Sequence, residues 1–127
     1  MVEFASAPEV KAVAIDFGDI VDRYPKIFPE GFYFECLGGW GELIDGLCRR
    51  LQDRTDLHGD LQVKAVQIKE KFGTLRFYVD QASEIQFTLI EDAEERSAQI
   101  CDICGAPARL RDEGWMMTRC DQHRVSA

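Results

Sequence analysis

The chain has 127 residues and a formal net charge of −8 at pH 7, from 15 basic and 23 acidic side chains. That length suits one domain, and Leu, Ile, Val and Phe supply 34 residues, enough for a core of its own. The acidic balance excludes broad, nonspecific binding to nucleic acid or anionic lipid, which needs clustered cations.

The start, Met1-Val-Glu-Phe-Ala-Ser-Ala-Pro8, has no basic segment followed by an apolar one, and no apolar run reaches membrane-span length. A cytoplasmic protein is therefore expected. Residues 10–24 read as short secondary structure of open type: Val10, Val13 and Ile15 alternate weakly, and Phe17, Ile20 and Val21 follow. Residues 25–39, interrupted by Pro25 and Pro29, read as an irregular approach that ends at Gly38-Gly39. The period then changes. Trp40, Leu43, Ile44, Leu47, Cys48 and Leu51 fall on one face of a helix, with Glu42 and Asp45 early and Arg49 and Arg50 late, the order that suits the helix dipole.

Residues 56–60 read as a loop. Leu61, Val63 and Ala65, then Val66 and Ile68, form a strand pattern whose parity slips once, which places a bulge near Ala65. Leu75, Phe77 and Val79 alternate as a second strand, and Gly73 can supply a positive φ for an antiparallel hairpin turn. A second helix is expected from Ser83, its cap, to Ile100, with Ile85, Leu89, Ala93 and Ile100 on one stripe. That helix is expected to run directly into Cys101. Charge is uneven: net −6 over residues 1–46, +2 over 47–80 and −4 over 81–127.

The chemistry concentrates at the C-terminal end. Three of five cysteines and one of two histidines form Cys101-x2-Cys104-x15-Cys120-x2-His123. A C-x2-C pair closes a tight turn that aims two sulfurs at one point, and a hairpin returning a second pair completes a tetrahedron of three thiolates and one imidazole. The intervening residues suit that hairpin: Ala108 to Arg111, a turn at Asp112-Glu113-Gly114, then Trp115 to Thr118. One structural zinc is the expectation, since four protein ligands leave no open position for water or substrate. The competing reading of the same residues is buried thiols beside a surface histidine. A thioredoxin-like pair fits poorly because no strand leads into Cys101. A deaminase pattern is absent, His58-Gly-Asp60 lacking the glutamate.

Other signals are weaker. Cys36 and Cys48 read as buried small hydrophobes, His58 as solvated, and Trp40 and Trp115 as core or hairpin anchors. Lys64, Lys69, Lys71 and Arg76, interleaved with Phe72 and Tyr78, either form a basic aromatic face for nucleic acid or are the outer face of an ordinary hairpin.

Tyr24-Pro-Lys-Ile-Phe28, Gly39-Trp40 with its helix, Lys69-Glu-Lys-Phe-Gly-Thr-Leu-Arg-Phe-Tyr78 and the Cys101-to-His123 pattern occur in this order. In that order the chain resembles a family of small bacterial and phage proteins, over residues 24 to 123. The resemblance implies an intact fold and a bacterial or phage origin, and implies no activity.

The expected fold is α+β: a single small domain with two main helices, an antiparallel hairpin and a C-terminal zinc-bound hairpin of ribbon or knuckle type. Residues 1–100 would form the core and 101–127 the zinc hairpin packed on it. The expected function is a non-enzymatic protein-binding module, an immunity, antitoxin or inhibitor-type protein. Its partner would be a basic toxin or nuclease, met through the acidic sets Asp16, Asp19 and Asp22 or Glu91, Asp92, Glu94 and Glu95. The alternative is a nucleic-acid-binding accessory protein that uses the 64–78 face with Arg109, Arg111 and Arg119. A small enzyme with carboxylates that no motif singles out is the third.

Overall fold

The computed structural model describes residues 15–124. The alternation at Val10 and Val13 lies outside the described residues. Within the stretch left open, α1 spans Phe17–Arg23 and buries Ile20. Phe17 stacks on Phe34 at 4.2 Å between ring centroids, and Phe34 in turn meets Phe28 and Phe32. Arg23 donates to Asp45 at 3.0 Å and the Tyr24 hydroxyl donates to the Asp45 carbonyl, so α1 is tied to the next helix.

That helix, α2, spans Gly41–His58 and buries Leu43, Ile44, Leu47, Cys48 and Leu51, the stripe read from the sequence. It also runs through Asp56 to His58, where a loop was expected. Apolar periodicity ends at Leu51, but the helix continues until Gly59, in the left-handed region at φ 77°, caps it and donates to Thr55. Arg54 paired with Asp60 and Gln52 bonded to Asp56 and Gln62 hold this polar last turn.

Strands β1 (Ala65–Lys71) and β2 (Thr74–Val79) pair antiparallel, with the expected irregularity between Ala65 and Gln67. Ile68, Leu75 and Phe77 face the core. Phe72 (φ 54°) and Gly73 (φ 88°) form the two-residue turn, the positive-φ pair that matches the strand twist. Glu70 accepts the Gly73 N–H at 2.7 Å and holds that turn.

Helix α3 spans Glu84–Arg96, opened by a reciprocal capping box between Ser83 and Gln86. It stops short of Ile100: residues 97–99 tighten into a 3-10 turn and Ile100 is extended, bridged to Pro107. The buried stripe is also rotated from the expected one. Gln86, Ile90, Ala93 and Ser97 are buried while Ile85 is half exposed. Gln86 can sit inside because its amide donates to the Leu51 and Leu61 carbonyls and to Thr55. Ser97 is satisfied in the same way, accepting from the Leu75 N–H and donating to the Glu94 carbonyl. A buried polar tie is invisible to a hydrophobic pattern.

The last hairpin pairs β3 (Arg109–Asp112) with β4 (Met116–Arg119), with Gly114 in the turn. The fold is thus α+β, with α2 and α3 packed together, α3 against β2, and the second hairpin at one end. No helix among the described residues is long and apolar enough to cross a membrane.

Candidate metal centre

The turn of Cys101 to Gly105 closes on itself: the Gly105 N–H donates to the Cys101 carbonyl, and the Cys101 N–H to the Ala106 carbonyl. Gly105 takes φ 83°, where a side chain would be strained. From the other end of the hairpin, a turn between Cys120 and His123 returns the second pair. The ligand atoms of Cys101, Cys104, Cys120 and His123 all lie within 4.8 Å of one another. Cys104 Sγ and Cys120 Sγ are 3.8 Å apart, and His123 Nδ1 is 3.7 Å from Cys101 Sγ and 3.2 Å from Cys120 Sγ. A tetrahedral ion about 2.3 Å from sulfur and about 2.0 Å from nitrogen needs ligand separations of roughly 3.5–3.8 Å. The observed spacings bracket that range, so the donor set is compatible with a metal ion.

The electrostatics agree. Burial pushes the Cys101 thiol up, but the amides of Cys120, Cys104 and Ile103 aimed at its sulfur more than reverse this and hold it at about 6. Cys104 goes the other way, raised by burial and by the neighbouring Cys101 and Cys120 sulfurs. A bound cation would favour the thiolate form of all three cysteines.

Backbone contacts seat the centre on the core. A Cβ on Gly39 would lie 2.2 Å from the Cys101 carbonyl oxygen, so only glycine lets the two backbones meet, and the Gly39 N–H donates to the Asp102 carbonyl. Trp40, fully buried, donates its indole N–H to the Ile100 carbonyl at 2.8 Å. On the other side, a Cβ on Gly73 would lie 2.5 Å from Leu110 Cδ1, and the buried Thr118 hydroxyl donates to the Gly73 carbonyl at 2.7 Å. Around the ligands, Asp102 pairs with Arg119. Arg111, buried, donates to the Arg119 carbonyl and to Asp121. The Gly-Trp and Phe-Gly motifs of the sequence are therefore the two seats of the metal hairpin.

The remaining candidate residues are spread over the surface. Asp16, Asp19 and Asp22 are exposed along α1. On α3, Glu91, Asp92 and Glu95 are exposed, but Glu94 is half-buried and accepts the Phe77 N–H; burial raises its carboxyl above the ordinary range. Lys64, Lys71, Phe72 and Tyr78 are exposed, and Lys69 stands directly opposite Arg76 in the hairpin. Of the arginines Arg109, Arg111 and Arg119, Arg109 is exposed while Arg111 and Arg119 are engaged internally. Cys48 is fully buried, and burial raises its thiol; Cys36 is partly buried, its thiol pushed to about 12 by burial and then by Asp102 and Glu70. Trp115, expected to anchor the hairpin, is 71% exposed.

Sequence reading missed a cleft of about 570 Å³ between residues 33–37 and the metal hairpin. Its lining comes from residues 33–37, Glu70, Asp102 and the second hairpin, which are far apart in the chain, and the only local signal was the aromatic run of Phe32-Tyr33-Phe34 in a segment read as irregular. Comparison with protein-family models, curated proteins and solved structures gave no match.

Proposed function

We propose that the protein is a non-enzymatic, zinc-stabilised module that binds another protein, of the immunity, antitoxin or inhibitor type. Three thiolates and one imidazole in a tetrahedral arrangement are a ligand set for zinc. The observation that carries the reading is the completeness of that set: Cys101, Cys104, Cys120 and His123 supply four donors. An ion held by four protein ligands has no position left for water or substrate, so its work is to fix the hairpin. The bacterial or phage origin implied by the resemblance suits such a module.

The partner we propose is a basic toxin or nuclease. A nuclease groove is cationic, so the exposed acidic rows of α1 (Asp16, Asp19, Asp22) and α3 (Glu91, Asp92, Glu95) would gain steering and close charge pairs there. The test is co-purification from the native host, followed by association kinetics with two charge reversals. Asp19→Lys with Asp22→Lys, or Glu91→Lys with Glu95→Lys, should slow association and flatten its salt dependence. Unchanged rates in both would overturn the charge-steered reading.

One observation favours a second reading, nucleic-acid binding. Lys69 opposes Arg76 across the hairpin, which places two cations side by side on the 64–78 face, a spacing that suits a phosphate backbone. Binding to single-stranded nucleic acid that survives physiological salt at submicromolar affinity would promote it.

A further inference from the structure

The two ligand turns repeat one pattern, Cys101-Asp102-Ile103-Cys104 and Cys120-Asp121-Gln122-His123. In each, the aspartate that follows the first ligand is taken by an arginine of the hairpin between them, Asp102 by Arg119 and Asp121 by Arg111. The two pairs are not equivalent. Asp121 is 88% exposed, so water competes for its partner, whereas the side chains of Arg119 and Asp102 are only 18% and 6% exposed.

Arg119 reaches both turns. Its Nε donates to the Asp102 carboxylate in the first, and its Nη1 donates to the His123 carbonyl in the second at 3.3 Å. Apart from the ligands themselves, no other side chain among the described residues bonds both turns. The residue that carries this fork is itself fixed. Its carbonyl accepts from Nε of the buried Arg111 at 2.8 Å, and the Asp102 N–H donates to the Thr118 carbonyl next to it at 3.0 Å. A guanidinium presents its donors in one rigid plane, so two acceptors bonded to it keep a set separation. A buried ion pair adds little net stability, since desolvation offsets the attraction; held at two points, this one fixes a distance instead.

We propose that Arg119 is the positioning residue of the metal centre. By bonding Asp102 and the His123 carbonyl at once, it sets the separation of the two ligand pairs, and with it the affinity and the shape of the four-donor site. The proposal rests on the metal-binding reading above and adds the residue that holds its two halves in register.

Cobalt(II) reports both quantities, because its d–d bands respond to the number and arrangement of donors and zinc displaces it in competition. In the full chain, Arg119→Lys keeps the charge beside Asp102 but replaces the fork by a single ammonium. It should bind zinc about 10- to 100-fold more weakly, the range for loss of an outer-shell partner, and the d–d bands of the cobalt-saturated protein should shift. Arg119→Ala with Asp102→Asn, which strands no buried charge, should weaken binding at least as much. Arg109→Ala, at an exposed position directly opposite Arg119 in the hairpin, should change neither quantity. Parent affinity in both Arg119 variants would overturn the proposal, as would weaker affinity with unchanged bands or an equal loss in Arg109→Ala. A parent protein that gives no tetrahedral cobalt spectrum would remove the metal reading itself, and the proposal with it.

Discussion

The core and the metal hairpin are stabilised by different physics. The core buries Trp40, Ile44, Leu47, Leu51, Ile68 and Leu75 completely, and removing that apolar area from water drives its folding. Among the described residues from 101 onward, only Cys101 and Met117 are buried apolar side chains. The hairpin is held instead by its ligand cluster and by backbone seats at Gly39 and Gly73. A region this poor in buried apolar residues is one that coordination of a metal would order.

The largest effect tests that division. Native mass spectrometry should find one zinc per chain, and Cys104→Ser, at an exposed position, should abolish it. Structural zinc contributes on the order of 10 kcal/mol of apparent binding energy in small finger peptides. Hydrogen exchange should then show protection lost over residues 99–124 and retained in α2. Melting that is identical with and without chelator would refute a structural metal.

Next come two substitutions with opposite signatures. Leu47→Ala should cost about 2–5 kcal/mol by opening a cavity in the core and leave metal affinity unchanged. Gly39→Ala should cost about 3 kcal/mol, because the new methyl meets backbone that cannot move aside, and it should weaken metal binding as well. Equal metal affinity in the two variants would mean that the seat at Gly39 does not support the centre.

Acid should separate the regions in order. The hairpin should undock first, because its ligands bind metal only when deprotonated. In the core, Asp60 accepts from Arg54 and Ser83, and these bonds hold its carboxyl below the usual carboxylate range. A lowered carboxyl stabilises the fold above the ordinary carboxylate pKa, and the contribution disappears as pH falls through the lowered value. Asp60→Asn should therefore be less stable than the parent at pH 7, with the gap closing only in strong acid. Urea midpoints measured across pH check both steps.

The smallest effect lies where the two regions touch. Phe72 occupies the left-handed region at φ 54° and is 64% exposed, a position where asparagine is easier than a bulky residue. Lys71 over the Phe72 ring, 5.6 Å from its centroid, offsets part of that cost. Phe72→Asn should stabilise by about 0.5 kcal/mol, read as a small rise in the urea midpoint.

Elements defined by local spacing were legible in the sequence: the α2 stripe, the β1–β2 hairpin with its bulge, the Ser83 cap and the clustering of Cys101, Cys104, Cys120 and His123. Ligand spacing and apolar period express chain geometry over a few residues, which a linear reading can follow. Other features depended on partners distant in the chain. The end of α2 at Gly59 rather than near Leu51, the burial of Gln86 through the Leu51 and Leu61 carbonyls, and the exposure of Trp115 are of this kind. Tertiary structure alone also gave the glycines of the Gly-Trp and Phe-Gly motifs their purpose, because the backbone they admit belongs to residues 101, 102, 116 and 117. The cleft followed from the same docking. A polar or glycine position is decided by what approaches it, and only the folded chain supplies that neighbour.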